Sequence, residues 1–196
     1  MSDDLRSSLR PALVMLLLFT LLTGVLYPGI ITAISQAIFP HQANGSLITA
    51  NGEVIGSELI GQAFTKPGYF HGRPSAAGKG YDALSSGGSN FGPAAKGLIN
   101  RVRGDVKSAR TDGLAGDIPA DMVTASASGL DPDVSPETAL AQVARVAKAR
   151  GLPEDRVRAL VVAATVQPAL GVLGERRVNV LALNRQLDAI GAQPRS

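Results

Sequence analysis

The sequence contains no cysteine and no tryptophan, and only two of its 196 residues are histidine. Without cysteine the chain forms no disulfide and carries no thiol chemistry. Two histidines without cysteine argue against a zinc site, which needs three or four suitable ligands. The sequence also lacks the Gly-x-Ser-x-Gly motif of a serine nucleophile. We therefore predict no catalytic residue and no metal site.

Charge is absent from one long stretch, because no Asp, Glu, Lys or Arg occurs from residue 11 to residue 52. Its first part is apolar and long enough to cross a bilayer, which takes roughly 20 residues. A secretory signal has a shorter apolar core and an A-x-A-like cleavage site, which Ala33–Ala37 matches poorly. We predict an uncleaved transmembrane helix over residues 11–39, with a cleaved signal as the alternative.

Basic residues on the two sides of this span differ in number. Arg6 and Arg10 precede it, and the next basic residue after it is Lys66. The positive-inside rule places residues 1–10 in the cytoplasm and residues 40–196 outside it. We expect a single-pass protein of the inner membrane with a periplasmic domain.

Three residues of the span suggest packing against partner helices. Gly24 permits close helix approach, and Pro28 removes a backbone donor beside Tyr27. We predict that the helix kinks or ends near Pro28; the alternative is that Tyr27 only marks the membrane interface.

The remaining pattern predicts one small α+β domain, a β-hairpin followed by several helices. Asn51-Gly52 suits a type I′ turn between two strands, and the Ser135-Pro136-Glu137 sequence is typical of a helix start. The predicted elements are a hairpin over 46–57, a loop over 58–93, helices over 93–110 and 136–150, a strand over 122–128, a helix from 153, and a last helix over 178–191.

Phosphate and cation motifs are weak in this chain. Gly78-Lys79 is not a P-loop, because Arg73 stands where the first glycine belongs and Gly80 follows the lysine. Asp131 and Asp133, with Asp121 nearby, are more typical of turns than of a calcium site. The net charge of +3 is small and spread out, which argues against nucleic-acid binding.

Two polar groups are candidates for recognition. The first is a candidate surface for a partner protein. Tyr and Arg are frequent at interface hot spots, and Gly allows close approach of a partner's backbone. Its residues are Tyr69, Phe70, His71, Arg73, Gly87, Gly88 and Asn90. The alternative is that Tyr69 and Phe70 anchor the loop on its own core. The second is the polar face of the 136–150 helix, either solvated or in contact with an anion through Gln142 and Arg145.

These residues together resemble the C subunits of the Kdp-type potassium-transporting P-type ATPases. The stretches that carry the resemblance cover nearly the whole chain. They are Leu9–Leu13, Gln42–Leu47, Leu59–Gln62, Gly68–Ser75, Ser86–Asn90, Val123–Pro132, Arg145–Arg150, Val178–Val180 and Leu183-Asn184.

The resemblance implies a non-catalytic subunit that assembles and stabilises an ATP-driven potassium importer. Its implied partners are a channel-like potassium-binding subunit, a P-type ATPase subunit and a small single-span subunit. The family is also described as a catalytic chaperone that raises the ATPase subunit's affinity for ATP in a transient complex, with no stably bound cofactor. Gln142 and Arg145 are our candidates for nucleotide contact, although the predicted orientation puts them where ATP is scarce. The competing hypothesis is an independent periplasmic enzyme or ligand-binding module.

Overall fold

The computed structural model describes residues 2–50, 52–114 and 116–191. They form two compact units that meet along the chain between Leu47 and Ile48. The first unit is helical, and the second is a mixed α+β unit with two small sheets. The predicted fold class is confirmed.

The first unit is one long helical run. It comprises α1 (Ser2–Leu21), a π-helical turn (Leu22–Leu26) and α2 (Tyr27–Ile38), followed by the short α3 (Pro40–Ala43). Residues 7–38 are long and apolar enough to cross a membrane, and none of their most apolar window is buried within the chain.

The helix does not end at Pro28. Instead, Tyr27 donates its backbone N–H to the Leu22 carbonyl, five residues back. A proline ring collides with the carbonyl four residues before it, here that of Gly24. The π turn just before Pro28 replaces the ordinary hydrogen bond to the carbonyl four residues back with one to the carbonyl five residues back. The helix therefore passes Pro28 and continues to Ile38.

The second unit begins with the predicted hairpin. Strands β1 (Leu47–Ala50) and β2 (Glu53–Ser57) form a two-stranded sheet. Gly52 has a φ of 83°, which glycine adopts without steric cost; Asn51 lies outside the described residues.

A second sheet is made of three very short strands that the sequence analysis missed. They are β3 (Asp133–Val134), β4 (Thr165–Val166) and β5 (Arg177–Asn179), antiparallel in the order β3-β5-β4. The predicted helix start at Val178 is therefore wrong by two residues. Asn179 ends β5 and caps the next helix, because its Oδ1 accepts a hydrogen bond from the Ala182 N–H at 3.0 Å.

Within the described residues, five α-helices follow the hairpin, and four of them surround the core. Ser135 caps α5 by accepting from the Thr138 N–H, and Gly151 ends α6 with a left-handed φ of 63°. The helix predicted over 136–150 is divided at Gln142. The helices are α4 (Lys96–Thr111), α5 (Pro136–Ala141), α6 (Val143–Arg150), α7 (Glu154–Ala163) and α8 (Val180–Gly191).

The strand predicted over 122–128 is wrong. A 3₁₀ turn covers Ala120–Met122, and bends follow it. Ser126 accepts from the Gly129 N–H at 2.9 Å, and Ser128 accepts from the Leu130 N–H at 3.1 Å. These local side-chain bonds compete with a strand ladder, so the alternating Ser and Ala residues form a turn.

The core lies between α5, α6, α7, α8 and β5. Its members are mostly valine and leucine, with one aromatic ring from the loop that precedes α4. They are Phe70, Val134, Ala139, Val143, Val146, Ala147, Val157, Val161, Val178, Val180, Leu183 and Leu187.

Candidate functional site

The loop after β2 contains a stretch, residues 67–71, whose backbone is held by side chains from two helices; we call it the clamped segment. Asn184 of α8 accepts from the Phe70 N–H at 2.8 Å and donates to the Phe70 carbonyl at 3.0 Å. Gln142 accepts from the His71 N–H at 2.8 Å and donates to the His71 carbonyl at 3.1 Å. Two amides therefore replace the neighbouring strand that an extended segment otherwise needs.

Two arginines hold the other half of the clamped segment. Arg145 donates to the Pro67 carbonyl at 2.6 Å, to the Tyr69 carbonyl at 3.0 Å, and to Gln142 Oε1 at 2.6 Å. Arg150 donates to the Gly68 carbonyl at 2.6 Å. Charged donors form the stronger hydrogen bonds, so α6 fixes three carbonyls in succession.

The Tyr69 ring lies under the guanidinium of Arg150. The distance from the Arg150 carbon to the ring centre is 4.5 Å, and Asp188 receives both the Tyr69 hydroxyl at 3.2 Å and an Arg150 nitrogen at 2.7 Å. This cation–π contact and ion pair fix the orientation of a half-buried aromatic ring. One of its ring faces is therefore covered from within the chain.

The residues after the clamped segment pack against the 127–131 turn. Arg73 pairs with Asp131 at 2.9 Å, and the Ser75 hydroxyl donates to the Gly129 carbonyl at 2.6 Å. A Cβ at Gly129 would lie 2.7 Å from the Ala77 nitrogen and 2.8 Å from the Gly87 carbonyl oxygen. Gly129 therefore allows three loops to meet.

The glycine-rich loop over 86–90 contacts the same turn. Gly87 donates its N–H to the Ser128 carbonyl at 2.9 Å, and a Cβ on Gly88 would come within 3.0 Å of the Ala127 carbonyl. Asn90 is exposed and has a φ of 51°. The two groups of predicted interface residues, around Arg73 and around Gly88, thus pack on one turn.

A cavity of about 310 Å³ opens between α4, α6 and the residues that follow the clamped segment. Nε of Arg73 and Oδ2 of Asp105 are buried and make no hydrogen bond within the described residues. The charged and polar side chains that line the cavity are His71, Arg73, Ser75, Tyr81, Asp105, Ser108, Asp112, Gln142 and Arg145. Both signs of charge therefore face the cavity.

Burial shifts several titrations at this cavity. It lowers the pKa of His71, and the nearby Arg145 guanidinium lowers it further. It raises the pKa of Tyr81 to about 12, helped by the Asp131 carboxylate. Burial also raises the pKa of the Asp105 carboxyl. The site therefore holds a neutral imidazole at neutral pH, with Nε2 at 3.1 Å from the Lys66 carbonyl.

The three aspartates of the turn region have separate partners. Asp121 accepts from the Ser135 N–H and from the Thr138 hydroxyl. Asp131 pairs with Arg73, and Asp133 pairs with Arg177 at 3.0 Å. No cluster of three or more His, Cys, Asp or Glu residues arranged for a metal occurs among the described residues.

Residues 9–189 of the chain match the family model described as K+-transporting ATPase, c chain, or KdpC. The chain belongs to the KdpC family. It is 60% identical over 186 residues to the potassium-transporting ATPase KdpC subunit of Gemmatimonas aurantiaca, covering 94% of each chain. It is 59% identical over 184 residues to that of Caulobacter vibrioides, covering 93% of each. For Rhodospirillum rubrum the identity is 56% over 183 residues, 92% of this chain and 95% of the relative.

Within this KdpC-family chain, the predicted interface residues have different surroundings. Phe70 is fully buried in the core, so it anchors the loop, as the alternative interpretation held, and is not exposed to a partner. Tyr69, His71 and Arg73 are half-buried and bonded within the chain, and Asn90 is exposed. Their contact with a partner subunit stays a prediction.

Gln142 and Arg145 do not lie on a solvated helix face. Gln142 is only 3% exposed, and among the described residues the two side chains form hydrogen bonds to residues 67–71, to Thr138 and to each other. Nucleotide contact by these two residues stays a hypothesis. The sequence analysis gave no role to Asn184, and it placed Arg150 on the polar helix face without predicting its bond to the loop. A polar residue within the apolar stripe Val180, Leu183 and Leu187 was the available signal for Asn184.

Proposed function

We propose that this chain is a non-catalytic accessory subunit of a potassium-transporting ATPase complex, which it assembles and stabilises. The observation that carries the proposal is the KdpC match over residues 9–189. We place α1 and α2 in the inner membrane with the N-terminus cytoplasmic, because Arg6 and Arg10 precede the span. The second unit then lies outside the cytoplasm. Its proposed partners are the channel-like subunit, the P-type ATPase subunit and a small single-span subunit.

The loops that meet at Gly129 are the proposed docking surface of the second unit. The surface consists of Tyr69, His71 and Arg73 from one loop and Gly87, Gly88 and Asn90 from another. Its support is rigidity: α6 and α8 fix the backbone of the first loop, and Gly88 brings the second against the turn. A preorganised surface loses less conformational entropy on binding.

We further propose that any effect on the ATP affinity of the ATPase subunit is indirect. The donors of Gln142 and Arg145 bind the clamped segment, and acidic side chains share their cavity. These two residues then act by positioning Tyr69 and His71. The competing function, a ligand-binding module that works alone, would use the same cavity.

The test is a comparison of membranes with and without this chain. A C-terminally tagged chain is purified in detergent, and potassium-stimulated ATP hydrolysis is measured. We expect two large membrane subunits to co-purify and the activity to disappear when the chain is omitted. The proposal would be rejected if the protein purified alone as a monodisperse species and its omission left the activity unchanged. That outcome would favour the independent ligand-binding module that uses the cavity.

A variant pair locates the docking surface. Asn90→Asp adds a charge to the proposed surface and tolerates the left-handed φ of 51°, and Asn100→Asp adds the same charge on exposed α4. We expect Asn90→Asp to reduce co-purification severalfold and Asn100→Asp to leave it unchanged. Equal behaviour of the two variants would place the interface elsewhere.

A further inference from the structure

The charge of this protein is concentrated on α4. This helix carries five of the 19 Lys and Arg residues and one of the 16 Asp and Glu residues. The rest of the chain, with fourteen basic and fifteen acidic residues, is close to neutral. A local excess of this size is an electrostatic feature of the surface.

The basic residues of α4 are sorted by face. At 3.6 residues per turn, Lys96, Arg103 and Lys107 lie within about 40° of one another along about 16 Å of helix. All three are exposed, and within the described residues their cationic side-chain groups form no ion pair or hydrogen bond. We call these three residues the basic stripe. Arg110 continues it but donates to the Leu114 and Gly116 carbonyls.

The opposite face of α4 turns toward the rest of the unit. Arg101 pairs with Asp105 there at 3.8 Å, and Asp105, Ser108 and Ala109 line the cavity. Ala109 is the buried residue of this helix. The single acidic residue of α4 is therefore directed away from the basic stripe.

One exposed apolar side chain borders the basic stripe. Ile99, about one turn before Arg103, is 41% exposed. Phe91, just before the helix, lies on another side of it, because its ring packs against Gly97 and lies 5.9 Å from the Arg101 guanidinium carbon. A basic face beside an exposed apolar side chain is the composition of helices that lie in a bilayer's headgroup region.

We propose that the basic stripe of α4 binds the anionic phospholipid headgroups of the membrane that the chain spans. Only a few residues separate Ile38, the end of the candidate span, from Leu47, the start of β1, so the second unit is always tethered close to lipid. The tether makes even a weak headgroup contact effective by raising the local concentration. The occupant is the lipid surface rather than an acidic protein, because the exposed Ile99 adds an apolar component at headgroup depth beside the basic stripe.

The test uses the full chain alone in nanodiscs, so it does not depend on the other subunits. The absence of cysteine allows a single nitroxide label at Asn100→Cys, beside the basic stripe. Leu84→Cys, at a site that is 98% exposed, is the reference label. Discs contain either phosphatidylcholine alone or phosphatidylcholine with phosphatidylglycerol, and contact is read from accessibility to lipid-soluble and water-soluble relaxation agents.

We expect the label at residue 100 to contact lipid in the phosphatidylglycerol discs and to lose contact as salt rises. The label at residue 84 stays in water. Neutralising Lys96, Arg103 and Lys107 to Gln lowers the docking equilibrium constant roughly fivefold per residue. The matched control neutralises the exposed Lys148, Arg156 and Arg158 of α6 and α7 and leaves docking unchanged.

Three results would overturn the proposal. The first is equal label behaviour in the two lipid compositions, and the second is an equal loss in the control triple variant. The third is found when the other ATPase subunits are added in neutral lipid: the label at residue 100 loses its accessibility to the water-soluble agent only then. That result would assign the basic stripe to an acidic protein surface. If the triple variant fails to fold, the salt titration of the labelled chain with Lys96, Arg103 and Lys107 intact still tests whether the contact with lipid is electrostatic.

Discussion

In the first unit, the backbone of residues 7–38 is hydrogen-bonded within its own helical run. In the clamped segment of the second unit, the backbone is bonded instead to side chains 71 to 114 positions away. A lipid-exposed helix must satisfy its own polar groups because the bilayer offers no partners. The clamped segment depends on four particular side chains. The two regions should therefore respond very differently to single substitutions.

The largest expected effect is at Phe70, which connects the clamped segment to the core. Phe70→Ala removes a fully buried ring and should lower the free energy of unfolding of the second unit by about 4 kcal/mol. Urea unfolding followed by circular dichroism measures this loss. Leu84→Ala, at a site that is 98% exposed, is the control and should stay within about 0.5 kcal/mol.

The amide clamp at Asn184 comes next. Asn184→Ala leaves the Phe70 N–H and carbonyl buried without partners, which should cost about 3 kcal/mol. Hydrogen exchange of the Phe70 amide should accelerate in parallel. If Asn184→Ala and the exposed control Asn100→Ala unfold alike, the clamp does not stabilise the unit.

A smaller effect concerns pH. Because burial and Arg145 lower the pKa of His71 in the fold, the unfolded chain takes up a proton first as the pH falls below 6.5. The stabilisation from neutral His71 is present above pH 6.5 and is lost toward the lowered pKa. His71→Gln should flatten the decline of the unfolding free energy between pH 7 and pH 5. An unchanged slope in this variant would contradict the assignment.

The smallest effect on the chain itself is expected in the span. A Cβ at Gly24 meets no atom within 4 Å, so Gly24→Ile should leave the helix content of the purified chain unchanged. If Gly24 packs against a partner helix, as we predict, the same change should reduce co-purification of the other subunits. Gly29→Ile is the matched control, since that site is equally open; equal losses in both variants would remove the special role of Gly24.

The span, the hairpin and the helix caps could be predicted because their causes are local. An apolar run, an Asn-Gly turn and a Ser-Pro-Glu start each act within a few residues. The three-stranded sheet could not be predicted, because its two- and three-residue strands pair across long sequence separations. Such strands show no alternation that a sequence window can detect.

The candidate site could be predicted only in part. The aromatic and glycine residues of the loops were predicted as interface residues from their residue types alone. Gln142 and Arg145 were predicted as anion contacts because their side chains are hydrogen-bond donors. Their actual partners are backbone groups of a loop more than 70 residues away. Nothing in the local sequence distinguishes an amide that holds a loop from one that contacts a ligand, so the burial of Gln142 had to come from the structure.

The role that we propose for Gln142 is to position the clamped segment rather than to contact nucleotide. The most direct test is Gln142→Ala in the ATPase complex, with assembly and the KM for ATP measured on the same preparation. We predict that less complex assembles and that the assembled fraction keeps the KM of the unaltered complex. Full assembly with a raised KM for ATP would contradict the positioning role, because loss of the Gln142 bonds to the clamped segment should impair assembly.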